Sequence, residues 1–451
     1  MAGFCGDIRI VRRFDRMLED ITSSGSLSPR KFGADRAAEV AAHRFLSSQR
    51  VNAQAILEEA AARTAQACRG RRVVVAQDTS EINFSGRDND RGDLGRGGDA
   101  NSLGFLIHPL VAIDAEDEAV LGVLGAKIWS RPIAKIKTHR QKRHLKDKES
   151  MRWIEAADMA SAVLKEAASI VQVGDRENDI YQAFARKPAN VDVITRARAD
   201  RKLSHGGLLF AAADGFARAI EIDVPLAPPQ PRKPGVAGRI ARVAVSLGSV
   251  VIAKPKTGRA CDDPKSCALR VVVAREIDPP AGAKPVLWRL LTTLPVETVE
   301  DALEVIRLYR LRWRIEEVFR VLKRDGLALE ETQVEGKRRL FNLAALGLVA
   351  ATRILQLTDA RSASARPATD VIDESLIEAA DAIGRTLERK TAKQQNPHAR
   401  GSLSWLAWIT ARLGGWHGYY KPPGPKTMAD GWRRLAAMLD GYAVAHSESY
   451  V

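Results

Sequence analysis

The chain has 451 residues, 45% hydrophobic and 28% charged, so it can bury a sizeable core and is neither a disordered tail nor a disulfide-stapled mini-protein. Seventy Lys and Arg against fifty-five Asp and Glu leave a formal charge of +15, which makes a polyanion the leading class of partner. The four cysteines include Cys261 and Cys267, which lack a C-x2-C pair or a histidine cluster, and this argues against structural zinc. The opening MAGFCGDIRI carries charge where a signal peptide needs an apolar stretch, and no uninterrupted apolar run approaches a bilayer span. The expectation is a cytoplasmic protein without a membrane partner.

Residues 1–70 show helical periodicity, in DRAAEVAAHRFLSS and again in VNAQAILEEAAARTAQAC. The β-branched run VVVAQDTSEINF predicts a buried strand that delivers Asp78, and the glycine- and aspartate-rich SGRDNDRGDLGRGGDANS predicts a loop. Strands are expected at LGFLIHPLVAI and AVLGVLGAKIW. The helical MRWIEAADMASAVLKEAASI then leads into VQVGD, a short strand ending at Asp175. With ENDIYQAFARK as a helix and VDVITRAR as a strand, the alternation over 71–199 means an α/β domain. From 200 to 296, short β-branched runs separated by Pro/Gly clusters predict an all-β insertion with no helical period. Helices return with VETVEDALEVIRLYRLRWRIEEVFRVLKRDG, so 297–360 reads as the second part of the interrupted domain and 361–451 as a C-terminal helical region.

Two carboxylates, Asp78 and Asp175, each end a short hydrophobic strand. Adjacent strands bring such residues within reach of one ion, although a strand-terminal aspartate also serves simply to begin a turn. On a helix from Glu300 to Lys323, turning about 100° per residue, Tyr309, Arg312, Glu316 and Lys323 share an arc of about 60° beside a separate apolar face. A solvated, salt-bridged surface has the same pattern, but Trp313 near that arc argues against leaving it in water.

The spacing Y-x2-R-x3-E-x6-K, realised as Tyr309, Arg312, Glu316 and Lys323, resembles the signature of the IS4 family of bacterial DDE transposases. QDTSEINF resembles that family's first-aspartate strand, GDRENDIY its second-aspartate motif, WRLLTTLPVE the segment before the signature helix, and SLSWLAWITARLGGWHGYYKPPG its C-terminal block. The blocks fall in order over about residues 30–445. The resemblance implies an RNase H-like catalytic domain interrupted by an all-β insertion, with N- and C-terminal helical regions. Asp78, Asp175 and Glu316 would be the catalytic acids and the ligands of two Mg2+ ions, with Mn2+ as substitute, an arrangement suited to in-line phosphoryl transfer. The implied activity is cut-and-paste DNA transposition: nicking at the transposon end, hairpin formation and opening, then strand transfer to target DNA. Tyr309, Arg312 and Lys323 would hold phosphates beside the scissile bond. Trp288, 21 residues before Tyr309, would stack on a flipped base, and Arg176 would contact DNA, with Glu177 and Asp179 completing D-R-E-x-D. The implied partners are double-stranded DNA, as inverted-repeat ends and as target, and a second copy of the chain when ends are paired. Residues 1–70 would help to read the end, although only 34 residues precede DRAAEVAAHRFL, fewer than the family usually carries. Residues 361–451 would serve dimerisation and DNA contact.

Two basic stretches suit backbone contact: residues 131–148 hold eight Lys/Arg, and 224–260 hold seven with no acid. Lys148, Glu149, Ser150 and Trp153 resemble a family K-E-S-x-x-W whose role the sequence does not give. His108, in GFLIHPLV, reads as a core residue or a group behind the acids, and Tyr419, Tyr420 and Lys421 form an aromatic, basic turn without an assigned mechanism. Two other readings use the same residues, a stand-alone RNase H-like Mg2+-dependent nuclease and a catalytically silent DNA-binding protein derived from a transposase. An RNA-binding protein would need aromatic platforms that a chain with 6% aromatic residues does not display.

Overall fold

The computed structural model describes residues 4, 7–33, 35–84, 93–98, 102–133, 147–226, 238–256, 263–283, 285–324, 327–360, 366–419 and 422–447. Helices α1 (Ile8–Ser24), α2 (Pro29–Phe32), α3 (Arg36–Ser47) and α4 (Ala53–Ala67) open the chain. Asp7, Asp35 and Asn52 start α1, α3 and α4 by accepting from otherwise unpaired backbone N–H groups, and Gly25 closes α1 at φ 62°, a conformation that favours glycine.

The strands and helices that follow are β1 (Arg72–Gln77), β2 (Ser80–Asn83), β3 (Gly104–Asp114), β4 (Val120–Trp129), α5 (Met151–Val163), β5 (Ser169–Gly174), α6 (Tyr181–Ala185) and β6 (Val191–Arg196). Next come α7 (Leu209–Asp214), β7 (Arg218–Leu226), β8 (Arg239–Ala253), β9 (Ser266–Glu276) and β10 (Leu287–Thr292). The chain then runs through α8 (Val299–Arg310), α9 (Arg314–Lys323), α10 (Lys337–Ala360), α11 (Ile377–Leu387), α12 (Leu403–Leu413) and α13 (Pro425–Ser447). The ten strands among the described residues form one mixed sheet in the order β2-β3-β1-β5-β6-β10-β9-β8-β7, with β4 also paired to β3. β1, β5 and β6 run parallel, and the other pairs are antiparallel.

The segment 200–296, expected as an all-β insertion without helical period, is built onto the central sheet. That segment is mostly strand, but β10 pairs with β6 from Leu290↔Arg196 to Thr292↔Ile194, so β7–β10 widen the central sheet. It also contains the six-residue helix α7. The β-branched runs reported strand correctly; strand content alone does not say whether edges pair with one another or with the sheet already present.

Alternation along β1 divides the core. Val74 and Ala76 pack in a cluster that takes in Phe14 and Leu18 of α1, Ile56 of α4, Leu308 of α8, Val318 of α9 and Leu343 of α10. Val73 and Val75 point to the other face, with Ala156 and Ala160 of α5. The N-terminal helices thus share the core of the sheet. A second cluster joins α11, α12 and α13 around Trp405, Trp408 and Trp432. By length and composition α10 is apolar enough to cross a membrane, which a search for uninterrupted runs misses because Arg353 breaks its sequence. Its apolar stretch is 89% buried within the protein, as suits a central core helix.

Asp179, just beyond the turn that follows β5, ties that turn to the chain leaving β6. Its buried carboxylate accepts from the N–H groups of Arg198 (2.7 Å) and Ala199 (2.9 Å) and from Arg201 Nε (2.9 Å). Asp179→Ala leaves the Arg201 guanidinium largely buried and without its counter-ion. The expected loss is about 3–5 kcal/mol of unfolding free energy, read from urea denaturation.

Candidate active site

β1 and β2 are one strand interrupted for two residues. Gln77 pairs with Leu110 and Ser80 with Ile107, so Asp78 and Thr79 stand opposite Pro109 and His108 without a change of register. A proline brings no N–H to a ladder, and the pairing lapses there. The Thr79 N–H instead donates to Asp78 Oδ1 (2.7 Å). On the other side, β1 and β5 pair from Arg72↔Ser169 to Ala76↔Val173, and Asp78 and Asp175 each lie two residues past that last pair. Asp175 begins a 3-10 turn, Arg176–Asn178, by accepting from the Glu177 N–H (2.8 Å). The turn is tight enough that a Cβ on Gly174 would lie 2.6 Å from that of Asn178.

Glu316 arrives on α9. The expected single helix from Glu300 to Lys323 is in fact two helices joined by a 3-10 turn at Leu311–Trp313, where the backbone is wound more tightly than in either neighbour. Arg312 sits in that turn with a buried side chain. Its Nη1 donates to Asp78 Oδ2 (2.8 Å) and its Nη2 to Glu316 Oε1 (3.0 Å), so one guanidinium joins the strand tip to the helix. The polar stripe is therefore not a solvated surface at Arg312 or at Tyr309, both buried. Trp313, expected to be withheld from water, is instead exposed, its ring 5.0 Å from the Arg312 guanidinium.

Behind the aspartates lies a network that composition and spacing do not reveal. Arg152 of α5 donates from Nε to Thr79 Oγ1 (2.9 Å), from Nη1 to the Glu149 carbonyl (2.9 Å) and from Nη2 to Glu177 Oε2 (2.5 Å). It thereby links the neighbour of Asp78 to the turn that Asp175 begins. His108 Nδ1 lies 2.9 Å from the same Thr79 hydroxyl, and Nε2 lies 3.0 Å from Gln77 Oε1. Trp153 packs edge-on against the His108 ring at 4.5 Å, and its carbonyl accepts from Gln172. Glu149 pairs with Arg131 (2.7 Å). Glu149 and Trp153 of the K-E-S-x-x-W block thus brace this network, and His108 stands behind the acids as its position in the strand suggested. Burial, with Arg152 nearby, holds the His108 imidazole well below the usual histidine range, so it is neutral.

Residues 131–353 match the family model described as Transposase DDE domain. The chain carries a DDE transposase domain. The match agrees with the IS4-type motifs. It spans Asp175 and Glu316; Asp78 lies ahead of it, on the strand that pairs in register with that of Asp175.

The remaining residues singled out in the sequence fall around this centre of the DDE domain. Trp288 on β10 is half-buried and packs edge-on against Tyr309, ring centroids 5.3 Å apart. Lys323 closes α9, its Nζ 2.7 Å from the Glu81 carbonyl and 3.3 Å from Glu330. Arg176 is exposed beside Asp175. Arg196, at the end of β6, is a further cation beside Arg176, Arg312 and Asp175; the motifs do not mark it. Of the basic stretches, 134–146, 227–237 and 257–262 lie outside the described residues, as do Cys261, Tyr420 and Lys421. Among the described residues, no group of three or more His, Cys, Asp or Glu side chains is set to hold a metal ion. Asp78, Asp175 and Glu316 are hard oxygen donors of the kind Mg2+ prefers, but Arg312 stands between two of them.

Burial pushes the Asp78 carboxyl up to about 6, and the charges of Asp175 and then Glu316 add to it; the Thr79 N–H and Arg312 oppose the shift without cancelling it. Asp175 is raised too, by burial first and by Glu177. Arg312 holds its proton more firmly than usual, because Asp78, Tyr309 and Glu316 outweigh its own burial. A carboxyl raised in the folded state stabilises the fold below its unfolded value, here 3.8, and that contribution is lost as pH rises to about 6. Asp78→Asn should therefore stabilise the free protein at neutral pH by about 1–3 kcal/mol, with the gain fading below about pH 4. Thermal melts across that range measure it.

Proposed function

We propose that this chain is a transposase that cuts and joins DNA by phosphoryl transfer at Asp78, Asp175 and Glu316. The observation that carries the reading is the convergence itself: two aspartates at matching positions on neighbouring parallel strands, and a glutamate joined to one of them through a single arginine. The strand order β4-β3-β1-β5-β6, three antiparallel and then two added in parallel, supports an RNase H-like catalytic core.

In this reading the three carboxylates hold two divalent cations, Mg2+ or Mn2+, which when bound activate the attacking oxygen and stabilise the leaving one. The chain's own groups do the rest. Arg312 offers a two-pronged donor to a phosphate next to the scissile bond, Arg176 and Arg196 add positive charge on the Asp175 side, and Tyr309 presents a hydroxyl whose proton burial makes harder to lose. Lys323 holds the strand after Asp78 and serves as a point charge toward DNA. Trp288 supplies an aromatic edge where an unpaired base would stack. Water attacks in nicking and hairpin opening; a 3′-hydroxyl attacks in hairpin formation and strand transfer. Each step exchanges one phosphoester oxygen for another, so one site serves them all and no covalent bond to the protein is needed.

The substrate is double-stranded DNA, first the inverted-repeat ends and then the target, and the working form is a dimer on paired ends in the cytoplasm. Purified protein is to be incubated with a labelled duplex ending in the inverted repeat that flanks its gene, together with Mg2+ or Mn2+ and supercoiled target. Hairpins and joined products are expected; hydrolysis alone would mark a nuclease, and binding without either a silent derivative. Glu316→Gln should reduce products by about a thousandfold or more while DNA binding, read by gel shift with divalent cations removed by chelator, stays within about threefold.

A further inference from the structure

Arg312 is placed where the proposed cations have to go. Its Nη1 and Nη2 donate to Asp78 Oδ2 and Glu316 Oε1, so the guanidinium engages two of the three carboxylates that would hold the ions. The third donor of the same guanidinium, Nε, is buried and has no hydrogen-bond partner, so this position leaves the arginine incompletely satisfied. The residue stands in the 3-10 turn between α8 and α9, a place where the backbone departs from regular helix, and beside it the exposed Trp313 ring opens to solvent. The helix that follows is anchored separately. Arg314 pairs with Glu317 and with Asp359 of α10, and Asp359 also accepts from the Val120 N–H of β4 (2.9 Å). Arg312 can therefore change partners without α9, and Glu316 with it, leaving the sheet.

Resting on the reading above, we propose that Arg312 is the internal counter-ion of the acidic site and makes its loading with divalent cation conditional on DNA. In the free chain the guanidinium satisfies Asp78 and Glu316 and disfavours a second cation there, by like charge and by taking the same oxygens. A phosphate arriving at the site offers Arg312 a bidentate acceptor, and its departure gives both carboxylates to the ion. By linkage the coupling runs both ways, and cation loading tightens DNA binding by the same factor. The device keeps a basic protein, which meets polyanions everywhere, without a charged cleavage centre until a phosphate lies in the position Arg312 reaches.

The test is binding of Mn2+ to the purified full chain, counted from the electron paramagnetic resonance signal of the free ion, without DNA and with a saturating end duplex. Wild type should hold Mn2+ at least about tenfold more weakly without DNA than with it, and Arg312→Gln should recover at least about tenfold in affinity without DNA and lose most of the dependence. The proposal is overturned if Arg312→Gln stays within about threefold of wild type without DNA, or if wild type binds Mn2+ equally with and without it. Should Arg312→Gln fail to fold, Arg312→Lys, whose single ammonium cannot span both carboxylates, and the wild-type pair of measurements decide. Asp78→Asn and Glu316→Gln in the DNA complex separate the two levels. If they leave Mn2+ binding intact, the assignment of the acids fails. If they abolish it while Arg312→Gln changes nothing, the counter-ion role alone fails.

Discussion

Carboxylates gathered in one partly buried place repel one another, and a fold that gathers them has to supply positive charge at the same spot. Here the contact that does so is Arg312 between Asp78 and Glu316. The sheet can bring two aspartates side by side with its own hydrogen bonds, but nothing in a β-ladder reaches the glutamate on α9. The guanidinium spans that gap, and the rest of the architecture holds its two ends: α10 and β4 hold α9 through Asp359 and Arg314, and α5 braces the strand tips through Arg152. That Asp78 is still raised to about 6 shows how incompletely one arginine offsets the burial and the neighbouring acids.

The two arginines differ in how fully they are hydrogen-bonded. Arg152 is buried, and its Nε, Nη1 and Nη2 donate to Thr79, Glu149 and Glu177; a group so fully engaged belongs to the framework. Arg312 is equally buried but keeps an unpartnered Nε and lies beside exposed Trp313 and Glu316. Arg176 and Arg196 extend the positive field past Asp175. A net charge of +15 favours polyanions in general, and these few residues concentrate positive charge beside the acids.

Much of this was legible in the sequence because the signals are local. A β-branched run ending in aspartate predicts a strand tip, and both Asp78 and Asp175 stand at one. The Tyr309–Lys323 spacing placed a charged stripe beside an apolar face, and the family resemblance singled out the same residues. What escaped was pairing between distant segments. Nothing in residues 200–296 says that β10 returns to β6, and nothing in the α5 sequence says that Arg152 reaches Thr79, seventy-three positions away. The 3-10 turn at Leu311–Trp313 has no marker of its own in the sequence, because the stretch holds no proline or glycine to interrupt an even helical rotation. Trp313 shows the limit of hydrophobicity as a guide, since a large ring stands in solvent beside a buried arginine.

The return of β10 to β6 has a consequence in time. Strands β1, β5 and β6 are all synthesised before residue 200, whereas α9 follows only after the chain has travelled out through β7, β8 and β9 and back. A polypeptide still emerging from the ribosome therefore carries both aspartates long before it has Glu316, and the arginine meant for them is equally late. Closing such long-range pairings is slow, and domains tend to consolidate from the N-terminal side. A chain that has reached only β6 thus holds both aspartates without Arg312 or Glu316, and the three carboxylates meet only after β10 has returned to the sheet.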